Sequence, residues 1–556
     1  MNSWEERFDN LLQEYSILSA DHNQLKLSMD RLKKYCRYLE EENLQLRRLL
    51  NNYKGQKSDC KPGEQVSNSM KDLKIPKTLQ AKPARYITAD PQDMPAKALT
   101  PMKTPQPTPD NGVDSEASSS LYEAFFVLGV KSTSLPSKSE DYILFEYPAN
   151  NSISQAMKNI LPGLGLPKHE IKELKLTGSA SDLNNLIFGQ IPSKRNENCF
   201  TFTLRCEKID SEVDLGIPNS DHEVVYFTCL LIEDILENCG SEYIVTKSYC
   251  LASFVPAFEL HYETLCSILF LKRLYRMDLM QVIEAGEITP KLSNIEITQE
   301  GIELLQELGK VNYFEDKTEI CLKTASMDCL KYIVPSDLQF IDVPWLCIPL
   351  FSSLIVQDLC WLVSALVLEK SIIFISDNLG LLTSCVLGLR SLIRPLHWMN
   401  LTVPIIPENM RELIEAPVPI LAGINHVDAK TRCKYSNIIW VMLDECNPNH
   451  RIQTRANSDF DIIELNNGLI EQIEKNYCFA QQNVFERTSE LQTAALKIAN
   501  LFFSYWRNVL VKFDGRNFRQ KKELRRVVRK FPECEQKFVS VLINTQVFAN
   551  SMENKE

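Results

Sequence analysis

At 556 residues the chain is long for one hydrophobic core and implies two or three folded units. Its hydrophobic content of 44% and charged content of 24% are those of a soluble globular protein. A net charge of -11 argues against general affinity for nucleic acid or anionic membranes. No apolar run reaches ~18 residues without a charge, and MNSWEERFDN lacks the features of a signal peptide. None of the 17 cysteines forms a CxxC pair, and 7 histidines are few for metal sites. The expectation is reduced core thiols in a cytoplasmic protein, without metal or cofactor.

Residues 1–53 carry the clearest periodicity. Every seventh position from Trp4 gives Leu11, Leu18, Leu25, Leu32, Leu39, Leu46 and Tyr53. The row offset by four gives Phe8, Tyr15, His22, Met29, Cys36, Asn43 and Leu50. Two such rows form the seam of a left-handed coiled coil, in which a buried Asn43 sets register at some cost in stability. The repeat predicts a homodimer through residues 1–53. One helix packed along its own domain is the open alternative. No basic region precedes the leucines, so a DNA-binding zipper is not expected.

Residues 54–120 hold nine prolines and few aromatics. Such a stretch cannot bury enough apolar surface to offset its ordering entropy and is expected to be a disordered tether. Thr100, Thr104 and Thr108 each precede proline. They are either targets of proline-directed kinases or parts of an unmodified spacer.

The folded body is expected from Leu121. LYEAFFVLGV and DYILFEYPAN read as strands, and so do FTFTLRC and EVVYFTCLLIE. TKSYCLASFVPAFELHYETLCSILFLKRLY reads as a strand, Pro256 and an amphipathic helix, closing a small α/β lobe over 121–275. The stretch from Met277 to Ile341 is charged and partly helical (ITQEGIELLQELGK). IDVPWLCIPLFSSLIVQDLCWLVSALVLEK then predicts one helix burying Leu354, Leu359, Leu362, Leu366 and Leu368. SIIFIS is short and uniformly apolar, which suits a central strand covered on both faces. Ser376 or Asp377 is positioned to cap the next helix, Leu379 to Ile393, which Pro395 ends. LTVPIIP, ENMRELIE and APVPILAGI continue the alternation of strand and helix, which predicts a doubly wound, largely parallel sheet.

The run from IPLFSSLIVQDL to APVPILAGI resembles the central module of a DENN domain. The shared features are Glu369 before the apolar strand, Ser376 at the turn, Pro395 with Trp398, Ile405 to Pro407, and Ala416 to Gly423. YCLASFVPAFELHYETLCSIL is similar to the end of the upstream module, and FVSVLINTQVFANSM to the close of the downstream one. The resemblance implies a longin-like N-terminal lobe over 121–275, a central module over 276–430 and a downstream module over 431–552. It also implies that a Rab-type small GTPase is the partner and that GDP release is accelerated.

The residues themselves agree that covalent chemistry is not at work. There is no GxxxxGK(S/T), no GxGxxG after a strand, no HExxH and no GxSxG. Exchange works by differential binding to the nucleotide-free partner, so its signature is a surface. Candidates for that surface are Ser376, Asp377 and Asn378 at the strand-to-helix turn, where open α/β sheets present ligands. Helix capping is their structural alternative. Trp398 is either an interface anchor or core. Glu369 either binds a loop or ends a helix in solvent. A GTPase-activating role would need an arginine at the transferred phosphate, and Arg195 is nominated for it. A non-catalytic Rab-binding scaffold is the third reading. Residues 512–531 hold nine basic and two acidic side chains. Lys522, Arg526 and Arg529 share a helical face there, which suits acidic lipid headgroups, an acidic partner or only solvent. The expected location is cytoplasmic, with peripheral contact to vesicle membranes.

Overall fold

Strand β1 (Ala124–Val130) shows how the first sheet is built, because all seven of its residues are buried. Ala124, Phe126 and Leu128 enter one core, and Phe125 and Val127 enter another. Alternation therefore persists although both faces are covered, which is why AFFVLGV reads as a continuous apolar run. With β2 (Asp141–Tyr147), β3 (Ile171–Glu173), β4 (Cys199–Arg205), β5 (Val224–Asn238) and β6 (Ser241–Ser253) it forms a six-stranded sheet. The order is β2-β1-β6-β5-β4, with β3 also beside β6 and every pairing antiparallel. Helix α1 (Gln155–Gly165) covers one face through Met157 and Leu161. Helix α2 (Phe258–Glu284) covers the other through Leu265 and Leu269.

The computed structural model describes residues 121–130, 141–167, 171–173, 188–189, 192, 194–205, 224–238, 241–284, 295–311, 319–326, 330–334, 337–445, 451–452, 465–479, 484–514 and 521–553. All fall within one compact unit, Ala117–Glu556. The heptad residues Leu11, Leu18, Leu25, Leu32, Leu39, Asn43 and Leu46 and the Pro-rich tether lie outside the described residues.

Helix α3 (Gln299–Gly309) and the hairpin of β7 (Glu319–Leu322) and β8 (Leu330–Ile333) pack into the α2 side of the first sheet, through Leu304, Leu308, Ile320 and Tyr332. The boundary drawn at residue 275 thus falls inside α2, and the segment beyond it shares the first lobe's core.

The second lobe follows. IDVPWLCIPLFSSLIVQDLCWLVSALVLEK forms two helices rather than one, α4 (Val343–Ser353) and α5 (Val356–Val367), bent by 119°. Leu354 and Ile355 are extended at the break. The Ser353 hydroxyl donates back to the Pro349 carbonyl at 2.8 Å, inside the last turn of α4. Leu354, Leu359, Leu362 and Leu366 are buried as expected, whereas Leu368 is half-buried. No single helix among the described residues is long and apolar enough to cross a membrane.

Strand β9 (Ser371–Ile375) leads into α6 (Leu379–Ser391), followed by β10 (Leu401–Val403) and a 3-10 segment (Glu408–Glu415). Next come β11 (Ile420–Ile424), α7 (Ala429–Lys434) and β12 (Ile438–Met442). The four strands form a parallel sheet in the order β10-β11-β9-β12, as strand–helix alternation predicts. Ile372 and Phe374 face the large core shared with α5 and α6, while Ile373 and Ile375 face a smaller one with Ile414 and Trp440. The boundary drawn at 430 falls inside α7. Helices α8 (Asn467–Glu474), α9 (Ser489–Phe513), α10 (Lys521–Val528), α11 (Glu533–Leu542) and α12 (Gln546–Glu553) complete the body, with Phe502, Trp506 and Phe538 in the large core. The described body is mixed α/β.

Candidate functional site

The turn from β9 into α6 lies at the carboxyl edge of the parallel sheet. Three adjacent polar residues take three different roles there. Ser376 is fully buried, and its hydroxyl donates to Asp444 Oδ1 at 2.8 Å and accepts the Asn378 amide at 3.0 Å. Asp444, just beyond β12, also accepts the Asp377 amide on Oδ2 at 2.9 Å. Asn378 is the N-cap, accepting the Leu381 amide at 2.9 Å. The cap is therefore one or two residues later than Ser376 or Asp377, because their amide and hydroxyl are held by Asp444. Between these fixed neighbours the Asp377 side chain is exposed. Asp444 and Glu445 are exposed beside it, so this edge carries negative charge.

The first lobe holds the turn from below. Arg195 is buried, 5% exposed, and not at the surface. Its guanidinium donates to the Trp345 carbonyl at 2.6 Å, to Ser384 Oγ at 2.5 Å and to the Gly380 carbonyl at 3.4 Å. It stacks 3.8 Å from the centre of the Trp345 ring. These partners are neutral, and burial pushes the guanidinium pKa down to about 9. The Gly380 amide donates to the Glu197 carbonyl at 3.2 Å. A Cβ on Gly380 would stand 2.7 Å from the Cys199 carbonyl oxygen, so only glycine lets the first turn of α6 sit this close to the first lobe. Arg487 joins the same junction, 4.8 Å from the Trp345 ring and ion-paired to Glu259 of α2 at 2.8 Å.

The structure therefore brings Arg195 and the Ser376–Asp377–Asn378 turn together, with Arg195 as the support of the helix that the turn begins. A guanidinium aimed at a partner's phosphate needs an open approach, and Arg195 has none here. Trp398 is buried, 3% exposed, in the large core, so it offers no surface anchor. Glu369 takes φ 58 and accepts the Val547 amide at 2.9 Å, joining the start of β9 to the first turn of α12. Arg526 and Arg529 are exposed at α10, whose Leu524, Val527 and Val528 are buried. The Lys522 side chain lies outside the described residues. Lys512 rests 3.8 Å from the Phe531 ring, which ties the basic stretch to the end of α9.

Sequence reasoning missed Asp444 and Gly380. Asp444 had a signal, since a carboxylate just past the apolar IIWVM belongs to the same sheet edge as one just past SIIFI in a parallel sheet. Gly380 had none, because its need for a bare backbone arises from the first lobe, far away in sequence.

Residues 319–446 match the model of the DENN (AEX-3) domain. Over 75 residues the chain is 37% identical to DENN domain-containing protein 2A of Homo sapiens, covering 14% of this chain and 7% of that protein. It is 31% identical over 108 residues to DENN domain-containing protein 2B of Mus musculus, covering 19% and 9%. It is 24% identical over 195 residues to DENN domain-containing protein 1B of Homo sapiens, covering 32% and 23%. The chain thus spans less than a quarter of the length of these relatives. The turn from β9 to α6 and its Asp444 partner lie inside the matched region. Residues 319–446 thus carry the likeness to the DENN (AEX-3) domain.

Proposed function

We propose that the chain is a guanine-nucleotide exchange factor for a Rab-type small GTPase, the role that the DENN resemblance implies. The observation that carries the proposal is the exposed Asp377 on a turn fixed at both ends, at the carboxyl edge of the sheet in the DENN region. An exchange factor must hold the GTPase in a state that has lost its nucleotide, and that demands a rigid contact surface more than a reactive group. The acidic edge suits basic residues on the partner. The first lobe would act as the longin-like half of the cradle, and residues 1–53 would pair two chains. Arg526 and Arg529 would add a peripheral contact with vesicle membranes from the cytoplasm.

The exchange reading is favoured over GTPase activation by the burial of Arg195. The deciding experiment is GDP release and GTP hydrolysis measured with the full chain against a panel of purified Rab proteins. Faster GDP release from at least one of them, with hydrolysis unchanged, is expected. Faster hydrolysis with GDP release unchanged would overturn the proposal in favour of activation. Tight binding without either effect would leave a scaffold.

A further inference from the structure

Cys229 of β5 and Cys250 of β6 stand directly opposite each other, in a register that runs unbroken from Tyr226–Ser253 to Asn238–Ser241. The Leu231 amide donates to the Asn198 carbonyl, on the side of β5 away from β6. Backbone direction alternates along a strand, so the Cys229 amide and carbonyl also point away from β6. Cys229 and Cys250 are therefore a non-hydrogen-bonded pair. Such pairs bring their Cα atoms to about 4.5 Å, within the span of about 4.4 to 6.8 Å that disulfides bridge. Both thiols are reduced, with their sulfur atoms 2.9 Å apart. Closing to a bond of about 2.05 Å asks each sulfur to move by less than about 0.5 Å.

The pair is enclosed. Both residues are fully buried, in the core between the first sheet and α1. The last turn of α1 lies over them, since a Cβ on Gly165 would stand 3.6 Å from Cys250 Sγ. Burial pushes the Cys229 thiol up, which slows its reaction while this cover is closed. The cover is the weaker end of its helix. Pro162 sits inside α1 and has no amide to donate to the preceding turn, so the turn over the sulfurs opens more readily than the rest. Hydrogen peroxide is small enough to enter through such an opening.

We propose that Cys229 and Cys250 are an oxidation site that closes to a disulfide with hydrogen peroxide, fastening β5 to β6. One sulfur, as thiolate, attacks a peroxide oxygen, the O–O bond breaks, and the departing hydroxide takes up a proton and leaves as water. The second sulfur attacks the S–OH sulfur, the S–S bond forms, the S–O bond breaks and a second water leaves. Two thiols give up two electrons and two protons, and one peroxide becomes two waters. The Ser248 hydroxyl, 3.2 Å from Cys250 Sγ, gives the leaving oxygen a hydrogen-bond donor inside the core. The inference does not rest on the exchange reading.

The test treats the reduced full chain with hydrogen peroxide in native buffer, then removes the peroxide and blocks remaining thiols with N-ethylmaleimide as the chain is denatured. Tryptic peptides are mapped without reduction by mass spectrometry. Trypsin cuts after Lys247, so the two cysteines leave on separate peptides unless a disulfide joins them. A linked pair that dithiothreitol separates is expected. Those peptides also carry Cys239 and Cys266, so Cys229→Ala and Cys250→Ala assign the sulfurs, and each should abolish the link. Circular dichroism checks that each variant is folded. Peroxide should lower the unfolding equilibrium constant of the parent in urea by about tenfold or more, an effect that dithiothreitol reverses. The same treatment should leave Cys229→Ala unchanged. Cys433, Cys478 and Cys534 are exposed, and their oxidation is common to parent and variant. No link in the parent, a link that both folded variants retain, or one that forms only after urea has unfolded the chain overturns the proposal. An oxidised parent no more stable than the reduced one overturns the fastening of β5 to β6.

Discussion

The two sheets treat charge in opposite ways. The antiparallel sheet of the first lobe takes charge inside. Asp234 on β5 is 1% exposed and accepts Lys272 at 3.1 Å, Arg276 at 2.8 Å and Lys247 at 3.2 Å. Lys247 also pairs with Glu296 at 2.8 Å, and Lys272 donates to the Tyr249 hydroxyl at 2.6 Å. The parallel sheet of the second lobe has strands of SIIFI, ILAGI and IIWVM with no ionisable residue, and its polar groups gather beyond the strand ends. In the first lobe, ionic groups specify how β5, β6 and α2 fit together. In the second, apolar strands set the frame and the polar groups stand at its edge. On the strands themselves, a titratable residue thus reads as structure in the first sheet, while the second sheet keeps its titratable groups beyond the strand ends.

The sharpest way to break this contrast is to remove the centre of the buried network. Asp234→Ala leaves three cations gathered without their anion, and loss of about 3–5 kcal/mol is expected by urea unfolding. The same carboxyl is held well below the usual carboxylate range against the cost of burial, by Lys272 first and then Lys247 and Arg276. Its unfolded-state pKa is ordinary, near 3.9. Its contribution is therefore complete above that value and is lost as pH falls below it. An unfolding free energy unchanged in Asp234→Ala would mean that the network is an incidental surface-like arrangement, and the contrast would fail.

His261 on α2 sharpens the same side of the comparison. It is fully buried, with Nε2 2.9 Å from the Leu121 carbonyl and Nδ1 3.4 Å from the Thr228 hydroxyl. A neutral ring with the proton on Nε2 satisfies both, donating to the carbonyl and accepting from the hydroxyl. Burial pushes its pKa down to about 4. The unfolded chain binds this proton near pH 6.5, whereas the folded chain resists it until about pH 4. Stability should accordingly fall as pH drops through that window, by about 3 kcal/mol in all. His261→Gln should flatten the profile there, and a slope unaltered by this change would assign the effect to other groups.

How much of this was legible in the sequence follows the same division. Strands β9, β10 and β11 were found because each is a largely apolar run flanked by turn residues, whereas β12 was not read, although IIWVM is as apolar as SIIFI. Five strands of the first sheet were found too, but β3, the β7–β8 hairpin and the ionic network were not. Asp234, Lys247, Lys272, Arg276 and Glu296 have no common spacing, and only the long β5–β6 pairing and the packing of α2 bring them together. Arg195 was noticed for the wrong reason. A lone arginine in a polar segment looks available, and nothing local reveals that Trp345 and Ser384, 150 and 189 residues further on, receive it. The break at Leu354 was missed because both halves are apolar enough to read as one helix.

Gly380 tests the junction where the two lobes meet. Gly380→Ala would gain helix propensity of up to ~1 kcal/mol in open solvent. Here the new Cβ meets backbone carbonyls of Cys199 and Asn196 at 2.7 and 3.0 Å, which cannot swing aside as a side chain would. A net loss of about 1–2 kcal/mol is expected by thermal or urea unfolding. A more stable variant would show that the lobes are not held at this point.

The smallest stability effect belongs to the edge itself, and there it should coincide with a large functional one. Asp377→Lys with Asn378→Ala reverses the exposed charge and removes the cap. Asp444 still holds the Ser376 hydroxyl and the amide of residue 377, so the turn keeps its anchor and the loss should be about 1 kcal/mol. If the edge is the GTPase surface, stimulated GDP release should fall about tenfold or more, and the nucleotide-free GTPase should lose affinity in the same proportion. Asn378→Ala alone separates the two contributions, because it removes the cap and leaves the charge. Its unfolding free energy should fall nearly as far as that of the double variant, while exchange stays within about twofold of the parent. Equal loss of exchange in both variants would mean that capping geometry, not the Asp377 charge, sets the contact. Unchanged exchange in both would move the GTPase surface away from this edge and remove the functional half of the comparison.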